Sequence, residues 1–246
     1  MRIVIAGGHG RVALILERIL AGRGDAVAGI IRNPAQTSAL EAVGAQPLVA
    51  DLETASVAQI AELVQGADAV VMAAAAGAGT QADRKELVDR NAAVLLADAA
   101  ETAGVRRYLI VSSMGADTQA VDGAVSPEFR TYLREHDPHN GQDENGSSPL
   151  FGAYLRAKGA ADEALRARTT LDLTILRPGL LNDDKGTGRI RMAPSTGAGS
   201  IPREDVASVL AALLDAPLTA GKTVEIISGD TPIPQAVAAL AQETAP

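Results

Sequence analysis

The chain has 246 residues, 47% of them hydrophobic and 21% charged, with a formal net charge of −8. That is the composition of a globular protein with room for one large domain, and its acidity, without any basic cluster, argues against a nucleic-acid partner. Cysteine is absent, which excludes disulfides, a thiolate nucleophile and a zinc–thiolate site. Trp is also absent and only two Phe and three Tyr occur, so the core has to be built from Val, Leu, Ile and many Ala. No run approaches the roughly 20 apolar residues of a membrane span. Glycines interrupt the opening apolar run that a secretory leader would need, and a cytoplasmic protein is expected.

The first element is the apolar run Arg2-Ile3-Val4-Ile5-Ala6, which reads as a buried strand. It passes directly into Gly7-Gly8-His9-Gly10-Arg11-Val12-Ala13, which opens a helical pattern. Strand, glycine turn and helix is the context that makes a glycine motif a dinucleotide signal. A diphosphate must approach the backbone closely, so Gly7 and Gly10 have to lack side chains. A helix beginning near Arg11 then offers free N–H groups and a positive dipole end to the anion. An ordinary strand–helix turn with convenient glycines is the other reading. Gly7, Gly8, His9, Gly10, Arg11 and Val12 are the candidate phosphate loop.

Val12, Leu16 and Ile19 give the first helix an apolar stripe, and Gly22 and Gly24 end it. Residues 26–31 read as a strand, 33–43 as a helix started by Asn33-Pro34, 46–50 as a strand, 57–64 as a helix and 69–74 as a strand. A long helix is expected over 84–103 and a fifth strand over 107–113. This alternation predicts a Rossmann-type doubly wound parallel sheet with helices on both faces. In such sheets ligands lie beyond the carboxyl ends of the strands. The rhythm breaks over 115–149, an irregular segment long enough to be a functional loop. Four of the five aromatic residues (Phe129, Tyr132, Phe151, Tyr154) fall between 129 and 154 with His136 and His139, consistent with a lid or pocket wall or with a small cluster that pins the loop. Ser148-Pro149 begins a helix to about 168. Strands at 171–176, 188–192 and 222–227 and helices at 203–214 and 233–242 complete a single domain over 1–246. Residues from roughly 178 to 246 are expected to contribute a small substrate lobe.

An NAD-binding second strand typically ends in an acidic residue that takes the ribose 2′-hydroxyl. Here it ends in Arg32, and a second cation, Arg11, sits in the glycine loop. Two guanidinium groups favour a phosphate at that position, so NADP(H) is expected over NAD(H), unless both arginines simply face solvent. Asn33 follows Arg32. Asp51, beside Leu52, could accept from the adenine amino group or simply form a turn. The small residues Ala74, Ala75 and Ala76 leave room for adenine and ribose.

Tyr154 and Lys158 share one helix face at i and i+4. A nearby ammonium favours tyrosinate, which makes Tyr154 a candidate acid–base toward a carbonyl or alcohol, and Lys158 could also hold the nicotinamide ribose. Ser112 and Ser113 end the fifth strand, where a hydroxyl could polarise a carbonyl or make an ordinary strand-end hydrogen bond.

With these residues in hand, the chain resembles the short-chain dehydrogenases/reductases of the extended or atypical branch, the NAD(P)-binding epimerase/dehydratase-like and NmrA-like proteins. The resemblance is carried by the glycine loop at 7–13, Asn91, Arg107-Tyr108-Leu109-Ile110-Val111-Ser112-Ser113, Tyr154-x-x-x-Lys158, Thr174-Ile175-Leu176-Arg177-Pro178-Gly179 and Ile201-Pro202-Arg203-Glu204-Asp205-Val206-Ala207. It implies that Gly7, Gly10 and Ala13 form the phosphate loop and that Arg32 reads the 2′-phosphate. Ser113, Tyr154 and Lys158 match the catalytic triad, and Asn91 matches a characteristic helix position. The segment between Ser113 and Tyr154 is longer than in the extended enzymes. In the subgroup that reads like Ala157-Lys158-x-x-x-Asp162-x-x-Leu165 the tyrosine is often missing, so Tyr154 is either the acid–base or an incidental neighbour of a retained lysine. Pro178 is a further cofactor-side candidate, although Arg177-Pro178-Gly179 and Asp205 read mainly as a turn and a helix start.

The expected activity is NADP(H)-dependent oxidation or reduction of a small carbonyl or alcohol. The alternatives are a cofactor-binding regulator without turnover and a sugar-nucleotide epimerase or dehydratase with retained NAD; Arg32 and the short chain weigh against the latter. No metal site is expected, and the three histidines read as solvated loop residues. The expected partner is a small-molecule substrate and the expected state a monomer or homodimer.

Overall fold

In the computed structural model, residues 1–74, 90–116, 131–132, 135 and 149–242 are described. Ala75, Ala76, Phe129, His136, His139, most of the irregular 115–149 segment, the start of the long helix and the side chain of Phe151 lie outside the described residues.

In chain order the elements are β1 (Arg2–Ala6), α1 (Arg11–Gly22), β2 (Ala26–Ile31), α2 (Thr37–Glu41), β3 (Gln46–Val49), α3 (Val57–Val64), β4 (Ala69–Met72), α4 (Ala92–Thr102) and β5 (Arg107–Val111). They continue with α5 (Pro149–Arg166), β6 (Asp172–Pro178), β7 (Leu180–Asn182), β8 (Arg189–Ala193), β9 (Ser200–Pro202), α6 (Arg203–Leu214), β10 (Lys222–Ser228), β11 (Thr231–Pro232) and α7 (Ile233–Gln242). Nine strands form one sheet in the order β11-β8-β10-β6-β5-β4-β1-β2-β3. Pairing is parallel from β3 through to β10, and β8 and β11 close the far edge antiparallel. The C-terminal residues thus lengthen the main sheet, while β7 and β9 pair separately.

Alternation along each strand feeds two cores. In β1, Ile3 and Ile5 face α1 and α6, where they pack with Leu16, Leu20, Val206 and Leu210. Val4 and Ala6 face the opposite layer with Ile60, Leu96 and Leu165 from α3, α4 and α5. Period-two strands and apolar helix stripes bury the same residues from both sides. Small side chains let the helices approach: Ala92, Ala93, Ala97, Ala99 and Ala100 of α4 are all buried. The buried Tyr108 hydroxyl donates to the Ala93 carbonyl at 2.9 Å, so the polar end of this large side chain is satisfied.

Two sequence expectations shift. The helix expected over 33–43 is a short 3₁₀ turn (Pro34–Gln36) followed by the brief α2. The Asn33 side chain caps that turn by accepting from Ala35 N at 3.0 Å. The stripe of α1 is also rotated: its buried residues are Ala13, Leu16, Glu17 and Leu20, with Val12 and Ile19 only partly covered.

Glu17 is the unexpected member. Its side chain is inaccessible, and among the described residues neither carboxyl oxygen has a hydrogen-bond partner. It occupies space left by two glycines: a Cβ on Gly8 would come within 2.9 Å of Glu17 Oε1, and one on Gly29 would collide with it. Burial alone pushes the Glu17 carboxyl up to about 8, because no charge compensates its desolvation. The folded protein therefore holds this proton while the unfolded chain releases it near pH 4.5, and stability falls as pH rises from about 4.5 to about 8. Glu17→Gln removes that dependence. Thermal unfolding at pH 5 and pH 8.5 should show the variant gaining on the parent at the higher pH, by on the order of 3–5 kcal/mol; parallel pH profiles would contradict this account.

Candidate functional site

A cleft of about 910 Å³ runs along the carboxyl ends of the central strands. It lies where chain order reverses, with β1 leading outward to β2 and β3 on one side and β4 returning on the other. That is the crevice in which doubly wound sheets bind ligands.

The glycine loop forms its floor. Gly7 has φ of +82°, and a Cβ there would lie 2.5 Å from the Ala74 Cα. The chain's own β4 end therefore requires glycine at this position before any ligand does. Gly7 N and Gly8 N donate to the Ile30 carbonyl at 3.1 and 3.0 Å, and Gly10 N donates to the Gly7 carbonyl at 2.8 Å. Gly10 caps α1 without a side-chain hydrogen bond, and the first turn of α1 carries no acidic residue. The donors at the helix start are thus left for an outside acceptor. Gly7, His9, Gly10, Arg11 and Val12 line the cleft. Gly8 does not; it faces down onto Gly29 and Glu17, so its role is to pack the loop on β2.

At one end, Arg32, Asn33, Asp51, Leu52 and Ala74 line the cleft, joined by Gln36 and Glu53. Arg32 NH1 donates to Glu53 Oε1 at 2.7 Å, with the Arg32 side chain half exposed. Asp51 Oδ1 accepts from Glu53 N at 3.0 Å, so Asp51 does form a turn as well as face the cleft. Asn33 spends its side-chain oxygen on capping.

At the other end lie Val111, Ser112, Ser113, Tyr154, Lys158 and Pro178. Lys158 is buried and donates from Nζ to the Val111 carbonyl at 3.0 Å. The same Nζ lies 5.9 Å from the centre of the Tyr154 ring. The two serines divide: Ser113 Oγ donates to the Met114 carbonyl at 3.1 Å, whereas Ser112 Oγ turns inward and donates to Asp162 Oδ2 at 2.9 Å.

Asp162 is a hub to which sequence reasoning, naming it only within a subgroup pattern, gave no role. It lies one turn beyond Lys158, is fully buried, and also accepts on Oδ2 from Arg177 Nε at 2.9 Å and Arg177 NH2 at 2.7 Å. Burial pushes its carboxyl above the usual range, while Arg177, Ser112 and Arg166 pull it back. The network ties the end of β5, the Tyr154–Lys158 helix and the end of β6 together, so three walls of the cleft share one anchor. The available signal was an acid at i+4 from Lys158 in an otherwise small and apolar stretch. Arg203 and Leu181, contributed from beyond β6, complete the lining. Among the described residues, no group of three His, Cys, Asp or Glu is placed to hold a metal, and no helix is long and apolar enough to cross a membrane.

The profile of the NAD(P)H-binding family matches residues 7–217. The chain belongs to the NAD(P)H-binding family. Its fold and relatives place it in the atypical branch of the short-chain dehydrogenases/reductases. It is 32% identical to a Bacillus subtilis protein named as an uncharacterized sugar epimerase, YhfK, over 96% of this chain and 99% of that protein. Among solved structures it is similar to a Bacillus halodurans protein provisionally named an NAD-dependent epimerase/dehydratase, with 35% identity, a TM-score of 0.79 and coverage of 97% and 99%. The Lactococcus lactis oxidoreductase ylbE shares the fold at 24% identity and a TM-score of 0.78, covering 99% and 98%.

The residues present fit the nicotinamide dinucleotide that NAD(P)H-binding proteins take. The uncapped start of α1 suits its diphosphate, and the wall from Arg32 to Leu52 suits its adenosine. Four cationic side chains (Arg11, Arg32, Lys158, Arg203) against two carboxylates (Asp51, Glu53) line a cleft in a chain of net charge −8. Because Asp162 anchors that cleft through a buried charged network, Asp162→Ala strands the Arg177 guanidinium. Urea unfolding should show a loss of about 3 kcal/mol.

Proposed function

We propose that this chain is an NADP(H)-dependent oxidoreductase acting on a small carbonyl or alcohol. The observation that carries the reading is one cleft with an open helix start in its floor, Arg32 at one end, and Ser113, Tyr154 and Lys158 at the other. A dinucleotide bound along it supplies a hydride equivalent at the nicotinamide end. The chain's own residues do the rest. In reduction, the Tyr154 hydroxyl gives its proton to the carbonyl oxygen as the carbon gains hydride; in oxidation it takes the alcohol proton. The Lys158 ammonium, fixed on the Val111 carbonyl beside the Tyr154 ring, favours the tyrosinate left behind. Ser113 is placed to turn its hydroxyl from the Met114 carbonyl to the substrate oxygen. Gly179, Leu181 and Arg203 contribute the wall from the C-terminal part of the chain.

The cofactor preference rests on Arg32. Its guanidinium is half exposed and held by Glu53, close enough to solvent to accept a 2′-phosphate in a bidentate fork. Fluorescence titration should give a lower Kd for NADPH than for NADH. Arg32→Ala should weaken NADPH binding about tenfold and leave NADH binding nearly unchanged; tighter NADH binding by the parent protein would reverse the assignment. For the chemistry, Tyr154→Phe should lower kcat with NADPH at least about 100-fold while its Kd holds. Unchanged turnover removes Tyr154 from the mechanism, and tight NADPH binding without turnover across a carbonyl panel favours a cofactor-sensing regulator.

The names of the two Bacillus relatives favour a second reading, an epimerase or dehydratase that retains NAD through turnover. Analysis of the nucleotide released from denatured purified protein separates the two: co-purified NAD supports the epimerase reading, and an empty protein that exchanges NADPH supports the oxidoreductase.

A further inference from the structure

A second set of charges borders this cleft, and the mechanism above gives it no task. Arg11 opens α1 and Arg203 opens α6, and these two helices pack together. One carboxylate stands between the arginines: Asp183 Oδ2 accepts from Arg11 NH1 at 2.5 Å, and Asp183 Oδ1 accepts from Arg203 NH1 at 2.7 Å. A single negative charge therefore serves two guanidinium groups. Burial and the neighbouring Arg11 charge hold Arg203 below the usual arginine range, with Asp183 offsetting only part.

The three side chains are unequally covered. Arg203 is 13% exposed, whereas Asp183 is 64% and Arg11 66% exposed. The cation is built into the wall and its carboxylate reaches in from solvent. The turn that carries Asp183 is fixed independently of the arginines. Gly186 N donates to Glu204 Oε2 at 2.7 Å, and Thr187 N and Gly188 N donate to the Asp205 carboxylate at 3.0 and 2.8 Å. Asp184 N donates to Asn182 Oδ1 at 3.1 Å. Loss of the Asp183 contact would leave that turn standing, and an ion pair with an exposed partner is worth little in water.

We infer that Arg11 and Arg203 form an anion seat in which the Asp183 carboxylate is a displaceable occupant, replaced by an oxyanion of the bound ligand. The chemistry it selects is a phosphate or carboxylate, which two planar guanidinium groups can hold through several oxygens. Two sources can supply it. Arg11 directly follows Gly10 within the loop assigned to the cofactor's diphosphate, and Gly179 and Leu181 extend the lining toward a substrate's acidic group. Only the identity of the ligand rests on the oxidoreductase reading; the seat itself rests on the three charged side chains.

The test uses Asp183→Asn and Arg203→Met, each titrated with NADPH by fluorescence, and with inorganic phosphate by calorimetry on the NADPH-loaded protein. A displaceable occupant predicts opposite signs. Removing the competitor tightens binding about threefold or more, and removing the cation weakens it about tenfold. Opposite signs in the NADPH titration identify the cofactor's diphosphate as the source. Opposite signs only in the phosphate titration identify an acidic group on the substrate. A strap that merely joins the two helices predicts weakening by both variants, and that result overturns the proposal, as does no change in either titration. Arg203→Lys keeps the charge and should retain most of the binding, which separates lost charge from misfolding in the methionine variant. Should the parent protein bind no pyridine nucleotide, the oxidoreductase reading fails by itself. The same variants titrated with inorganic pyrophosphate on the free protein then decide the seat by the same signs.

Discussion

The backbones of β1 and β4 come so close at Gly7 that no side chain fits between Gly7 and Ala74, and the functional architecture follows from that approach. Because Gly7 turns with positive φ, the chain leaves the sheet between β4 and β2 and starts α1 directly above the strand ends. The point of departure is the place where strand order reverses. The helix begins without a side-chain cap, and its free donors open into the crevice. The same tight packing continues below the loop, where Gly8 lies against Gly29 and leaves only the space that the Glu17 carboxyl fills. An apolar side chain there would avoid the desolvation that raises Glu17. The loop is thus held from two sides by contacts of the chain with itself, and Gly7 and Gly8 would be required even if no ligand ever bound.

Much of this was legible from sequence periodicity. Parallel strands buried on both faces appear as continuous apolar runs, and helices between them show spaced apolar residues. Glycine after the first strand marked the loop, and Tyr154 and Lys158 shared a helix face by spacing alone. These features are local. What stayed hidden depends on which strands become neighbours. Arg11 meets Asp183 across 172 positions of sequence, and Ser112 meets Asp162 across 50. No periodicity encodes such pairs, because they are set by the order of strands in the sheet. The division of labour between Ser112 and Ser113 is intermediate: strand alternation says that adjacent residues face opposite ways, but not which one faces the cleft. Asp205 was read as a helix start; it also holds the 187–188 backbone, a contact that appears only when the turn before β8 folds against the start of α6.

The charged groups around the cleft fall into two kinds, separated by exposure rather than by residue type. Asp162 and Arg177 are paired with the carboxylate fully buried and the guanidinium largely covered. Breaking such a pair leaves a largely covered charge without its partner, so it stays closed and fixes the geometry of β5, α5 and β6. Arg32–Glu53 and Arg11–Asp183 have a half-exposed or more exposed cation. Water and salt compete with those contacts at small cost, and an incoming anion can do the same. An acidic protein that binds a multiply charged anion has to keep cations at the site without letting them collapse onto its many carboxylates. On the proposed function, exposed pairs would meet that requirement, because each could yield its arginine to a ligand bearing more charge than the carboxylate it replaces. Lys158 is held differently: its bond to the Val111 carbonyl is to a neutral acceptor, so that contact positions the ammonium beside Tyr154 without neutralising it. On the proposed function, the cleft would have arginines that exchange partners where phosphate binds and a lysine held by a neutral carbonyl where a proton moves.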